Sequence, residues 1–204
     1  MLKLISEEIQ KTQQVMQSMV MDAALLQQIE HIGNQCIAAI RTKNKILFAG
    51  NGGSAADSQH LAAELVGRLC HDRPGMAALA LTTDTSTLTA VGNDYGFENI
   101  FSRQVEALGQ PGDVFIGIST SGTSPNILQA FRAARKCNMV TVGFTGRTAP
   151  LMNECCDVVL NIPSQETSKI QECHIMVGHI ICALIETAIY GEQYNLRRSI
   201  PVVR

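Results

Sequence analysis

Tryptophan is absent from this chain of 204 residues, and aromatic residues make up only 4% of it. That scarcity argues against a lectin-like sugar platform and against a β-sandwich. The apolar share of 46% suits an α/β core of Val, Ile, Leu and Ala instead. An excess of one charge is missing too. The formal net charge is −2, so no overall field gathers nucleic acid or an anionic membrane, and any phosphate must be held by local geometry. Paired cysteines are lacking as well. Cys36, Cys70, Cys137, Cys155, Cys156, Cys173 and Cys182 are odd in number and show no C-x-x-C spacing. This excludes a disulfide framework or a structural zinc knot and predicts reduced, mostly buried thiols of a cytoplasmic protein. The amino end, MLKLISEEIQKTQQ, does not read as a signal peptide, and no later stretch reads as long and apolar enough to span a bilayer. The length suits one well-buried domain.

What is present has a clear rhythm. Apolar residues at helical spacing (Leu4, Ile5, Ile9, Val15, Met19, then Leu25, Ile29, Ile32, Cys36, Ile40) predict two amphipathic helices over residues 1–42, broken near Met21–Ala23. A helical pair ahead of the first strand has no sheet of its own to cover and is expected to pack on another copy of the chain. Over 43–190, β-branched runs at 45–49, 78–81, 113–118, 139–144 and 157–161 alternate with helical stretches at 55–69, 126–136 and 169–190. Such alternation predicts a single α/β domain with a parallel sheet of five strands and helices on both faces. The tail over 191–204 reads as an irregular extension.

Two strand–turn–helix units resemble each other, with the turns Asn51-Gly-Gly-Ser54 and Ser119-Thr-Ser-Gly-Thr-Ser124. Side by side at the carboxyl edge of a parallel sheet, they would build one pocket. The serine-rich turn offers hydroxyls, a flexible Gly122 and the amides of the following helix, which together suit an anion; its plain reading is a helix cap, which needs only one such residue. The first turn is neither a dinucleotide fingerprint nor a Walker loop. His60 and Glu64, four apart on one helix face, can ligate a metal, position a base, or merely share a surface hydrogen bond. In Lys169-Ile-Gln-Glu-Cys-His-Ile-Met-Val-Gly-His179, periodicity does not choose among Gln171, His174 and His179. Asn93-Asp94 alone reads as a turn.

Taken in order, GNGGSAADSQHLAAEL, RPG at 73–75, VGNDYGFENIFSRQVEALGQPGDV, GISTSGTSPN and KIQECHIMVGH resemble the phosphoheptose isomerase family, single-domain members of the sugar isomerase (SIS) fold. The resemblance covers about residues 40–190 and implies a flavodoxin-like sheet and a homotetramer with active sites built between chains. It implies conversion of sedoheptulose 7-phosphate to D-glycero-D-manno-heptose 7-phosphate, on the route to lipopolysaccharide heptose. It implies zinc on His60, Glu64, Gln171 and His179, with Glu64 as catalytic base and His179 as its partner acid. Substrate contacts are implied for Asn51, Gly52, Gly53, Ser54, Glu64, Arg68, Asn93, Asp94, Ser119, Thr120, Ser121, Ser124 and Gln171, Arg68 matching an arginine that reaches a neighbouring subunit's site. Relatives on the same fold that bind the replication initiator DnaA lack the Glu and His retained here, and isomerases of other phosphosugars form a second alternative.

Overall fold

In the computed structural model, which describes the backbone of residues 1–198 and the side chains of residues 1–191, two helices precede an alternation of strands and helices. Helices α1 (Leu2–Met21) and α2 (Ala23–Arg41) part at Asp22. Its carboxylate accepts from the Leu25 amide at 3.1 Å, satisfying a donor that the new helix cannot. Then follow β1 (Ile46–Gly50), α3 (Gly53–Val66), β2 (Ala78–Ala80), α4 (Thr85–Tyr95), α5 (Ser102–Leu108), β3 (Val114–Ile118), α6 (Pro125–Lys136), β4 (Val140–Thr145), α7 (Pro150–Cys155), β5 (Val158–Asn161) and α8 (Thr167–Arg198).

The strands lie in the order β2-β1-β3-β4-β5, and every pairing is parallel. This is the five-stranded α/β sheet the sequence predicts, with each strand within two residues of its expected bounds. Alternation along the strands sorts the core into two layers. Ile46, Phe48, Val114, Ile116, Ile118, Val142 and Phe144 pack with α2, α3 and α8, whereas Leu47, Ala49 and Phe115 pack with α5, α6 and α7. Each fully buried Ile, Leu or Phe contributes about 1.5–3 kcal/mol. At the amino edge, the buried Asp113 carboxylate accepts from the Lys45 amide (2.9 Å), Lys45 Nζ (2.6 Å) and the Gln110 amide (2.8 Å). Burial would raise its pKa, but these donors hold it below the ordinary value, and they stitch β1 to β3 where both begin.

Four expectations are corrected here. The amino-terminal pair does not stand off the sheet as a unit: Ile29, Ile32 and Cys36 of α2 join the core beside β1 and β3. Only α1 is left largely outside, with Leu2, Leu4, Ile5 and Ile9 exposed. The chain after Tyr190 is not irregular, because α8 continues to Arg198; residues 199–204 lie outside the described residues. Asn93 and Asp94 lie in the last turn of α4, not in a loop. That helix follows an N-cap at Asp84, whose carboxylate accepts from the Thr87 amide at 3.0 Å, and its weak helix formers hid it from propensity. Finally, residues Thr167–Gly191 of α8 are long and apolar enough to cross a membrane by length and composition. Their composition has another cause: Ile170, Cys173, Val177, Ile181 and Ile185 are buried in the core with α2 and α3.

Candidate active site

The register of the central strands sets the site. Gly50 ends β1 beside Ile118, which ends β3, so the turns after them emerge together at the carboxyl edge, where the strand order departs in both directions. Carboxamide bonds between Asn51 and Asn126 join the turns. Gly52 has φ of 56°, a left-handed value that glycine adopts without strain. Gly53 is bare for a different reason: a Cβ there would lie 2.6 Å from Gln171 Nε2. Gln171, reaching over from α8, thus rests on the first residue of α3. Ser54 is buried, and its amide and carbonyl are taken by Asn51 and Ser58.

In the second turn the hydroxyls gather. Ser119 Oγ lies 2.9 Å from Ser124 Oγ and 3.4 Å from Ser121 Oγ, and Thr123 Oγ1 donates to Ser121 Oγ at 3.0 Å. Ser124 occupies the N-cap of α6, yet its side chain makes no capping bond. The plain reading of this serine as a helix cap therefore fails for its hydroxyl. Gly122, at φ 67°, has no room for a side chain, since a Cβ would strike that of Ala149. Thr120 is half-buried beside it, its carbonyl accepting from the Gly146 amide at 3.1 Å. Clustered hydroxyls at the start of a helix suit phosphate oxygens.

Further along α3, His60 Nε2 lies 3.2 Å from Glu64 Oε1 and 2.8 Å from His179 Nε2 of α8, the two rings meeting edge to face. The donor atoms of His60, Glu64 and His179 all lie within 4.8 Å of one another. Two imidazole nitrogens at such a distance need a proton or a cation between them. Tetrahedral zinc, with bonds of about 2.0–2.1 Å, places its nitrogens about 3.3 Å apart, so parting the rings by about half an ångström would seat it. The donor set fits a zinc-like cation.

His179 completes this group, and His174 does not. His174 is buried, its Nε2 3.1 Å from the Thr145 carbonyl oxygen. Burial pushes its pKa down to about 4, against the hydrogen bond to Thr145, which favours the charged form. It is a neutral core residue. Gln171 and Gly53 form a second contact, and Ser119, Ser121 and Ser124 a third. Arg68, in the loop after α3, and Asn93 and Asp94 stay at exposed positions, with Asn93 Nδ2 donating to Asp94 Oδ1 at 2.7 Å.

Two residues escaped the motif reading. Asn126 follows the serine turn and looks like an ordinary helix residue until Asn51 is seen facing it. Asp57 precedes His60 by three positions, a helical spacing that was the available signal. Its Oδ2 is buried without a hydrogen-bond partner. Burial pushes its carboxyl up, while His60 and His179 pull it the other way.

Known proteins share this arrangement of chain. The SIS domain model matches residues 9–146. A phosphoheptose isomerase of Burkholderia pseudomallei (strain 1710b) is 55% identical over 192 residues, spanning 94% of this chain and 98% of that relative. One from Sulfurimonas denitrificans is 52% identical over 195 residues, spanning 96% and 100%. Among solved structures, the phosphoheptose isomerase of Neisseria gonorrhoeae superposes with a TM-score of 0.85 at 40% identity, covering 91% of this chain and 98% of the other. That of Francisella tularensis gives 0.87 at 33%, with the same coverage. A domain match across most of the chain, and relatives alike over nearly their whole length, place this chain in the phosphoheptose isomerase family of SIS-domain proteins.

Proposed function

We propose that this enzyme converts sedoheptulose 7-phosphate to D-glycero-D-manno-heptose 7-phosphate, the step that opens the supply of ADP-heptose for the lipopolysaccharide core. The observation that carries the reading is the meeting of Glu64 with His60 and His179 on the α3–α8 seam, on a helix that begins at a phosphate-suited pair of turns. Moving the carbonyl from C2 to C1 requires a base that takes the C1 proton and returns one to C2 through an enediol. Glu64 suits this, because Oε1 faces His60 and leaves Oε2 for the substrate. His179 is the partner acid that exchanges protons with O1 and O2. The hydroxyls of Ser119, Thr120, Ser121 and Ser124, with the turn Asn51–Ser54, hold the phosphate end. Arg68, Asn93, Asp94 and Gln171 complete recognition of the sugar.

His60, Glu64, Gln171 and His179 are the proposed zinc ligands. Bound there, zinc would supply Lewis acidity toward the carbonyl oxygen and order the four side chains. The active form is a cytoplasmic homotetramer. The exposed apolar residues of α1, the open position of Arg68 and the absence of disulfides among the described cysteines support that reading. Residues 43–190 are the catalytic unit, with residues 1–42 in the same domain.

The test is a panel of five-, six- and seven-carbon ketose phosphates, with deuterium exchange at C1 as the readout. Sedoheptulose 7-phosphate should turn over fastest. Faster turnover of a hexose phosphate would overturn the heptose assignment. No turnover and no exchange would favour a binding protein on this fold, a reading that the retention of Glu64 and His179 opposes.

A further inference from the structure

The loop between α3 and β2 is held by two charges taken out of water. The side chains of Arg73 and Glu186 are 1% and 2% exposed, and Arg73 Nε donates to Glu186 Oε1 at 2.9 Å. Glu186 lies on α8, seven residues beyond His179 and so on much the same face of that helix. Its carboxylate also accepts the backbone amides of Cys70 (2.9 Å), Leu69 (3.4 Å) and His71 (3.4 Å). Arg73 gives its other donors to the end of α3 and to the loop itself. Nη2 donates to the Glu64 carbonyl at 2.8 Å, and Nη1 to the carbonyls of Leu65 (2.8 Å) and Pro74 (3.0 Å). The last carbonyls of a helix have no partner within it, and here a guanidinium supplies one.

A buried ion pair is a poor way to gain stability, because desolvation offsets most of the attraction and apolar residues of like volume hold a core as well. An apolar pair could not, however, offer donors to the Glu64 carbonyl and acceptors to residues 69–71 together. The position matters. The elements joined are the end of α3, which carries Glu64; the loop, which carries Arg68; and α8, which carries His179. We infer that Arg73 and Glu186 form a positioning pair, fixing Glu64 and the Arg68 loop against His179 in catalytic register. The inference rests on the proposed isomerase reading and deepens it, since displacement of a reacting group by about 1 Å can cost on the order of a hundredfold in rate.

Arg73→Lys keeps the charge opposite Glu186 but cannot reach the carbonyls of Glu64 and Leu65 as well. Glu186→Gln keeps the shape and removes the charge. Each variant is first shown to be folded by circular dichroism and a cooperative melt, then assayed below its own melting temperature. Two readouts are taken: kcat and KM on sedoheptulose 7-phosphate, and zinc affinity by competition with a chelator. At least a tenfold loss in kcat and a tenfold weakening of zinc are expected. A lowered melting temperature with kcat, KM and zinc affinity within twofold of the parent would overturn the inference and leave an ordinary structural ion pair. A parent protein without turnover would sink the proposed activity, while the zinc titration would still decide the role of the pair.

Discussion

The carboxamides of Asn51 and Asn126 hold each other in a two-way exchange, Nδ2 of each reaching Oδ1 of the other at 2.9 and 2.8 Å. One belongs to the turn after β1 and the other to the first turn of α6, so the two halves of the proposed phosphate pocket are fixed to one another. Asn126→Ala should leave Asn51 half-buried and unpaired, at a cost of about 1–3 kcal/mol. The melting temperature is expected to fall by several degrees and KM to rise roughly tenfold, with a smaller change in kcat. Steady-state kinetics and calorimetry on the same sample check both.

Glu64→Gln removes the proposed base while preserving the shape of the side chain. A loss in kcat of about 10²–10⁴-fold is expected, with an unchanged far-ultraviolet spectrum. Turnover within a few-fold of the parent would mean that another group moves the carbon-bound proton.

Ser124→Ala separates the two accounts of the serine turn. A capping serine would cost about 1 kcal/mol of stability when removed. Because this hydroxyl bonds Ser119 and caps nothing, its removal costs that one hydrogen bond, about 0.5–1.5 kcal/mol. KM should also rise several-fold, which the loss of a cap alone would not cause. Thermal melts set beside KM distinguish the outcomes.

How much of this was legible beforehand depends on the range of the signal. The central strands were readable because β1, β3 and β4 are buried on both faces and show as short apolar runs bounded by turns, as in Val114–Ile118. The paired turns were readable because small polar residues follow each run. The choice between His174 and His179 was not, since five positions on one helix can point either way and only the packing of α8 on α3 decides. Helix α4 was missed because Thr and Gly dilute its pattern. The bond between Arg73 and Glu186 spans 113 positions, and no periodicity links residues so far apart.

His174 makes a prediction about acid. Its folded pKa of about 4 lies below the ordinary 6.5, so the unfolded chain binds the extra proton first. Its neutral, buried form contributes fully above pH ~6.5, and that contribution is lost as the pH falls toward 4, to a total of about 3 kcal/mol. Melting temperatures taken across this window should drop steadily in the parent. The slope should flatten in His174→Asn, which cannot titrate; an equal slope in both would assign the acid sensitivity to other groups.

The two outermost strands are also the two shortest, β2 with three residues and β5 with four. Each rim of the sheet therefore presents only a brief row of unsatisfied amides and carbonyls, too little to template a foreign strand. Self-association by ribbon extension, the usual route to insoluble aggregates, is thereby disfavoured.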